Sequence, residues 1–126
     1  MPSYKFNHIA LSVKDVAESV DFYQAVFQFQ EIENAASGSK TRWLLIDNKI
    51  QLHLIPRPDF VVRTNKAVHF AVSTDDLAGA IRVLVDLKIP YSDWHDNPDS
   101  IHVRNDGIQQ IYFQDPNGYW IEINSD

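Results

Sequence analysis

The chain has 126 residues, with eleven Lys and Arg against seventeen Asp and Glu, for a formal charge of −6. That length suits one domain, and the acidic balance argues against a general nucleic-acid binder, which needs a basic face. The absence of cysteine excludes disulfides, thiolate metal sites and a cysteine nucleophile.

Residues 6–13 alternate apolar and small side chains in the manner of a strand. Asp15 then stands where a helix N-cap acceptor is wanted, ahead of a stripe at helical spacing formed by Val16, Val20, Tyr23 and Phe27. A short strand over 29–34 follows, then strands over 41–46 and 50–55 around the turn Asp47-Asn48-Lys49. A second strand–helix pair comes next: 68–73, then Asp75 or Asp76 as N-cap and a stripe of Leu77, Ile81, Leu84 and Leu87. Ile89-Pro90 is expected to stop that helix, because the residue before proline disfavours helical geometry. Strand-like runs at 91–94, 101–104 and 109–113 lead to the turn Asp115-Pro116-Asn117-Gly118 and a last strand over 119–124.

His8-Ile9-Ala10-Leu11-Ser12-Val13 repeats, without a gap, as His69-Phe70-Ala71-Val72-Ser73-Thr74. The alignment continues to Asp15 and Ala17, which meet Asp76 and Ala78. The chain therefore reads as one domain of two related modules, 1–64 and 65–126, each strand, helix and three strands. The fold class is α+β. No apolar run approaches the roughly 20 residues of a membrane span, and the start lacks the apolar stretch of a secretion signal. A cytoplasmic protein with no membrane partner is the expectation.

The closing strands of the two modules also align. Leu52-His53-Leu54 matches Ile121-Glu122-Ile123, so His53 is the counterpart of Glu122, as His8 is of His69. A lone strand histidine is usually a hydrogen-bonded, partly exposed residue. Four polar residues at symmetric strand positions are harder to dismiss, because a buried Glu is costly unless paired or metal-bound. Three imidazoles and one carboxylate form an N3O donor set for a single divalent ion, whether Zn, Ni, Mn, Co or Fe. His95 and His102, in or near a loop-rich stretch, read as surface residues, and so do most of the arginines. There is no Gly-rich phosphate cradle among the four glycines and no Gly-x-Ser-x-Gly elbow.

The runs His8-Ile9-Ala10-Leu11-Ser12-Val13 with Phe22-Tyr23, His69-Phe70-Ala71-Val72, and Phe113 through Ile123 resemble the vicinal oxygen chelate superfamily. That family includes glyoxalase I, fosfomycin-resistance transferases, extradiol dioxygenases and bleomycin-resistance proteins. The last run is particularly similar to glyoxalase I. The resemblance implies two βαβββ modules forming a cup-shaped mixed sheet around a divalent metal held by His8, His53, His69 and Glu122. It also implies a homodimer in which the modules of two chains complete each other's sites.

On the same grounds Glu122 becomes the candidate catalytic base as well as a ligand, and Trp43, Gln110 and Tyr112 the candidate substrate-binding residues. Glyoxalase I carries a glutamate where this chain has His53, with Gln51 two residues earlier. The implied activity is a metal-dependent lyase or isomerase acting on a small oxygenated substrate, with a thiol such as glutathione as a candidate partner. Two alternatives stand beside it. One is an Fe(II) dioxygenase using two His and Glu122; the other is a metal-free protein that sequesters a drug.

Overall fold

The computed structural model describes residues 1–36 and 38–126. Its two helices and two mixed sheets make an α+β fold, divided into compact units Met1–Val61 and Val62–Asp126. The first unit runs β1 (His8–Val13), α1 (Val16–Phe27), β2 (Gln30–Ile32), β3 (Arg42–Leu45) and β4 (Gln51–Pro56). Its sheet order is β1-β4-β3-β2, with β1 parallel to β4 and the other pairs antiparallel.

Alternation decides the two faces of this sheet. Leu44, Leu52 and Leu54 are fully buried with Val20 and Tyr23 of α1, which packs on β3 and β4. The intervening residues Trp43, Gln51 and His53 are only half-buried and lie on the other face. Asp15 caps α1 by accepting from the Glu18 amide at 3.1 Å, and Gln28 ends it in the left-handed region at φ 59°.

The second unit runs β5 (His69–Ser73), α2 (Leu77–Asp86), β6 (Tyr91–Ser92), β7 (His102–Val103), β8 (Gln109–Gln114) and β9 (Trp120–Asn124). Here β5 lies parallel to β9, and β8 pairs β9 antiparallel. The edge strand is broken. β6 pairs with Tyr112 and Phe113 of β8, while β7 pairs with Gln109 and Gln110 further along the same strand.

Between those two pieces the chain makes an excursion built on Asp93. Its carboxylate accepts the amides of His95 and Asn97 and the side-chain amide of Asn97, each at 2.9 Å. The runs 91–94 and 101–104 shorten to two-residue strands, the first because the chain turns out of the sheet at Asp93, whose carboxylate holds the amides of the loop that follows.

Asp76 is the N-cap of α2, accepting from the Gly79 amide at 2.8 Å. The helix does not continue to Ile89-Pro90 as the sequence suggests. It closes at Leu87, because Lys88 turns left-handed at φ 57° and the Ile89 amide folds back to the Leu84 carbonyl at 2.9 Å. Leu87 is therefore exposed, whereas Leu77 and Leu84 are buried. No helix among the described residues is long and apolar enough to cross a membrane.

Leu54 sits at the centre of the first unit, fully buried between β1, β3 and α1. Leu54→Ala should cost about 2–5 kcal/mol of unfolding free energy, since transfer and cavity terms add. Chemical denaturation of both proteins measures it.

Candidate metal centre

Strand register makes the internal repeat a matter of geometry. Ala10 of β1 lies opposite His53 of β4, and Ala71 of β5 lies opposite Glu122 of β9. On the far side His53 faces Trp43 and Glu122 faces Tyr112. His8 lies opposite Gln51, and His69 opposite Trp120. Each unit thus presents the same quartet on the sheet face away from its helix: a histidine, an alanine, a His or Glu, and an aromatic. The alanines matter because a methyl leaves room above the neighbouring polar group.

In the first unit the quartet is a stack. The His53 ring lies 4.1 Å from His8 at an interplanar angle of 16°, and 4.2 Å from Trp43 at 4°. His53 Nε2 meets Gln51 Oε1 at 2.8 Å, and His8 Nδ1 meets Asn7 Oδ1 at 2.6 Å. Burial, reinforced by His8, pushes the His53 imidazole below its ordinary value, which favours the neutral, ligand-competent form. Near-parallel rings aim their in-plane lone pairs along separate planes. Joint ligation of one ion by this pair therefore requires a ring to turn.

The second unit is pre-arranged differently. Glu122 is 5% exposed. Its Oε2 accepts from Asn124 Nδ2 at 2.7 Å and from Gln110 Nε2 at 3.1 Å, and the Tyr112 hydroxyl also donates to the carboxylate. Burial alone would raise this carboxyl. The hydrogen bonds from Asn124, Tyr112 and Gln110, with the His69 imidazole, outweigh it and hold the group below the usual carboxylate range. Burial also pushes the Tyr112 phenol well up, aided by its hydrogen bond to Glu122. Tyr112 stays a donor.

The remaining oxygen, Oε1, faces His69 Nε2 at 3.2 Å, while His69 Nδ1 meets the Lys66 carbonyl at 2.8 Å. Both of these partners are acceptors. A neutral imidazole has one N–H, so one contact must set lone pair against lone pair. Only two states satisfy both sides: an added proton, or a cation held between Nε2 and Oε1 while Nδ1–H donates to Lys66. With metal–ligand bonds of about 2.0–2.2 Å, two donors on adjacent coordination positions stand roughly 3 Å apart. The 3.2 Å separation fits that spacing, so the His69–Glu122 pair suits a divalent ion as it stands.

The four expected ligands therefore divide as His8 with His53 and His69 with Glu122, one pair per unit. Among the described residues no three His, Asp or Glu side chains gather in the manner of a complete metal site. Gln110 Nε2 and the Tyr112 hydroxyl, on residues expected to touch substrate, donate to Glu122, and Trp43 stacks one face on His53. Asn124 escaped notice, although alternation from Glu122 places it on the same face. Lys66 had no local signal at all, since its partners lie on a distant segment. The rings of His95 and His102 lie 6.0 Å apart, and His102 borders an open hollow of about 430 Å³ with Arg104, Asn105 and Asp106.

With this geometry in hand, family membership follows from comparison with known proteins. The chain belongs to the Glyoxalase/Bleomycin resistance protein/Dioxygenase superfamily, whose model matches residues 5–123. Among individual relatives it is similar to Glyoxylase I 4 of Arabidopsis thaliana, 28% identical over 125 residues that cover 93% of this chain and 68% of that protein. A glyoxalase/dioxygenase from Nostoc punctiforme shares the fold with a TM-score of 0.78 and 26% identity, covering 97% of this chain and 90% of that one. Oxidase ChaP-H2 shares it with a TM-score of 0.80 at 22% identity, over 99% and 95% of the two chains.

The lowered Glu122 and His53 values set an acid limit. A carboxyl lowered in the folded state stabilises the fold above its unfolded value and loses that contribution as pH falls through the folded value. His53, lowered as a base, acts with the same sign in a higher window, because the unfolded chain takes up its proton first below about pH 6.5. In chelator-treated protein, stability should decline in two stages, below about pH 6.5 and again below about pH 4.5. Glu122→Gln should shrink the lower stage, to which the lowered carboxyls of Glu31, Asp93 and Asp106 also contribute, and His53→Gln should flatten the upper, read by urea midpoints across pH.

Proposed function

We propose that the protein is a divalent-metal-dependent, glyoxalase-like enzyme of the lyase or isomerase type, acting on a small oxygenated substrate. The observation that carries this reading is His69 held between two acceptors, with Nε2 3.2 Å from Glu122 Oε1. In this reading His8, His53, His69 and Glu122 supply the N3O donor set. Each unit taken alone offers two donors, and the family resemblance implies a homodimer in which module one of one chain meets module two of the other to complete the shell. When bound, the metal supplies Lewis acidity to two neighbouring substrate oxygens.

The chain's own residues do the rest. Lys66 O fixes the Nδ1–H of His69 and leaves Nε2 to ligate. Asn124, Gln110 and Tyr112 keep Glu122 ionised and fix its orientation. Those same donors weaken it as a base. Its anionic ligand role is therefore primary, and proton transfer from substrate requires that some of these bonds loosen. Trp43 offers a flat wall beside His53, suited to the apolar or planar part of a substrate. A single carboxylate among the four donors, with His53 where glyoxalase I has glutamate, points away from a strict copy of that enzyme.

An Fe(II) oxygenase is the second reading, favoured by the two-His, one-carboxylate subset His8 or His53 with His69 and Glu122. Elemental analysis of protein purified without added metal separates the readings: Zn, Ni, Mn or Co supports the first and iron the second. A metal-free preparation that also refuses all these ions in dialysis would overturn both and favour drug sequestration. Turnover should be screened with methylglyoxal–glutathione hemithioacetal, fosfomycin with thiols, and catechols.

Glu122→Gln should keep the fold, bind metal more weakly and lower turnover by about 10²–10⁴-fold. Unchanged turnover with metal bound would remove Glu122 from the chemistry. Light scattering should find a dimer; a metal-loaded, active monomer would contradict the shared site.

A further inference from the structure

Lys66 is an unusual lysine. It lies in the turn before β5, where the Val68 amide bonds the Asn65 carbonyl at 2.9 Å and the Ala67 amide bonds the Asn65 side chain at 2.9 Å. Its side chain is only 12% exposed. All three ammonium protons have acceptors: Asp93 O at 2.6 Å, Asp96 Oδ1 at 2.8 Å and Ser92 Oγ at 2.9 Å. The same nitrogen lies 4.9 Å from the Trp120 ring centroid, 5.2 Å from Tyr112 and 6.0 Å from Trp94. A buried ammonium is tolerated only when paired and hydrogen-bonded, and this one is both, inside a box of aromatic faces that attract a cation.

Both ends of the residue reach the candidate centre. Its carbonyl takes the His69 Nδ1 contact at 2.8 Å. Its ammonium grips the Asp93 excursion, which carries Trp94 against Tyr112 at 5.4 Å and against His69 at 6.3 Å. Asp96, one of the gripped residues, is left-handed at φ 66°, a conformation Asp adopts more readily than most residues, and its carboxylate meets the Lys66 ammonium there. A turn carbonyl has no strand partner to aim it. The side chain does that instead.

We propose that Lys66 is the positioning residue of the centre: anchored by its ammonium in the Trp94–Tyr112–Trp120 box, it presents the carbonyl that holds His69 with Nε2 toward Glu122. The metal-affinity part of this inference rests on the function proposed above; the aiming of His69 does not. Lys66→Met keeps the aliphatic stem under the rings and removes the charge and all three hydrogen bonds.

Two readouts decide, both on the full-length protein. Long-range ¹H–¹⁵N spectra of the His69 ring, taken after chelation and at a pH where imidazole is neutral, report which nitrogen carries the proton. Wild type should be protonated at Nδ1, and the Met variant should show a mixture or the Nε2 form. Competition with a chromophoric chelator should show Zn(II) affinity reduced about 10–100-fold, the usual effect of losing a partner that orients a ligand.

An unchanged His69 tautomer in the variant would overturn the proposal whatever happens to its melting temperature, because a purely structural lysine would move only the latter. If wild type binds no Zn(II), the metal reading falls while the tautomer comparison still decides the role of Lys66. Should the Met variant not fold, the wild type gives the test alone. A scalar coupling between Lys66 carbonyl carbon and His69 Nδ1 across the hydrogen bond supports the proposal, and its absence overturns it.

Discussion

A carboxylate inside a β-sheet is the feature on which the second half of this protein depends. Glu122 occupies the middle of β9, between Ile121 and Ile123, both buried. An ionised group there is tolerable only with a full set of partners, since an unpaired buried charge costs several kcal/mol. Neighbouring positions on the same face supply them: Tyr112 directly opposite, Gln110 and Asn124 next along, and His69 on the adjoining strand. Three of the four are donors outright. The fourth, His69, has its other nitrogen on a carbonyl, and that leaves a mismatch that an added proton or a bound cation resolves.

The same sheet position in the first unit is handled without a charge. His53 is flanked by His8 and Trp43 in a stack, and its Nε2 meets Gln51. The two units thus differ at the two central polar positions while sharing the small Ala10 and Ala71 beside them. The first unit offers two imidazoles and the second a hard anionic oxygen with one imidazole.

Much of this was legible in the sequence because it is local and periodic. Alternation located the described strands, and Asp15 with the Asp75-Asp76 pair, of which Asp76 is the cap, marked both helix starts, since capping is decided within four residues. The repeat named His8, His53, His69 and Glu122, and in the strand register His53 lies opposite Ala10 as Glu122 lies opposite Ala71. What resisted reading is long-range or depends on backbone conformation. Lys88 ended α2 by turning left-handed, ahead of the more conspicuous proline. Asp93 turned the chain out of the edge strand by capturing the loop amides of His95 and Asn97. Lys66 reaches residues 92–96 through a fold whose loops no periodicity describes. The orientation of the His8–His53 stack likewise follows from packing, with ring planes that spacing along the chain does not encode.

The central claim is that His69 and Glu122 are a prepared half of a divalent-metal site. Crystals soaked in Zn(II), with an anomalous difference map at the zinc edge, test it most directly. The account predicts a peak about 2.0–2.2 Å from both His69 Nε2 and Glu122 Oε1, with Nδ1 still on the Lys66 carbonyl. Zinc bound at full occupancy elsewhere, with the His69–Glu122 contact intact and unbridged, would contradict it.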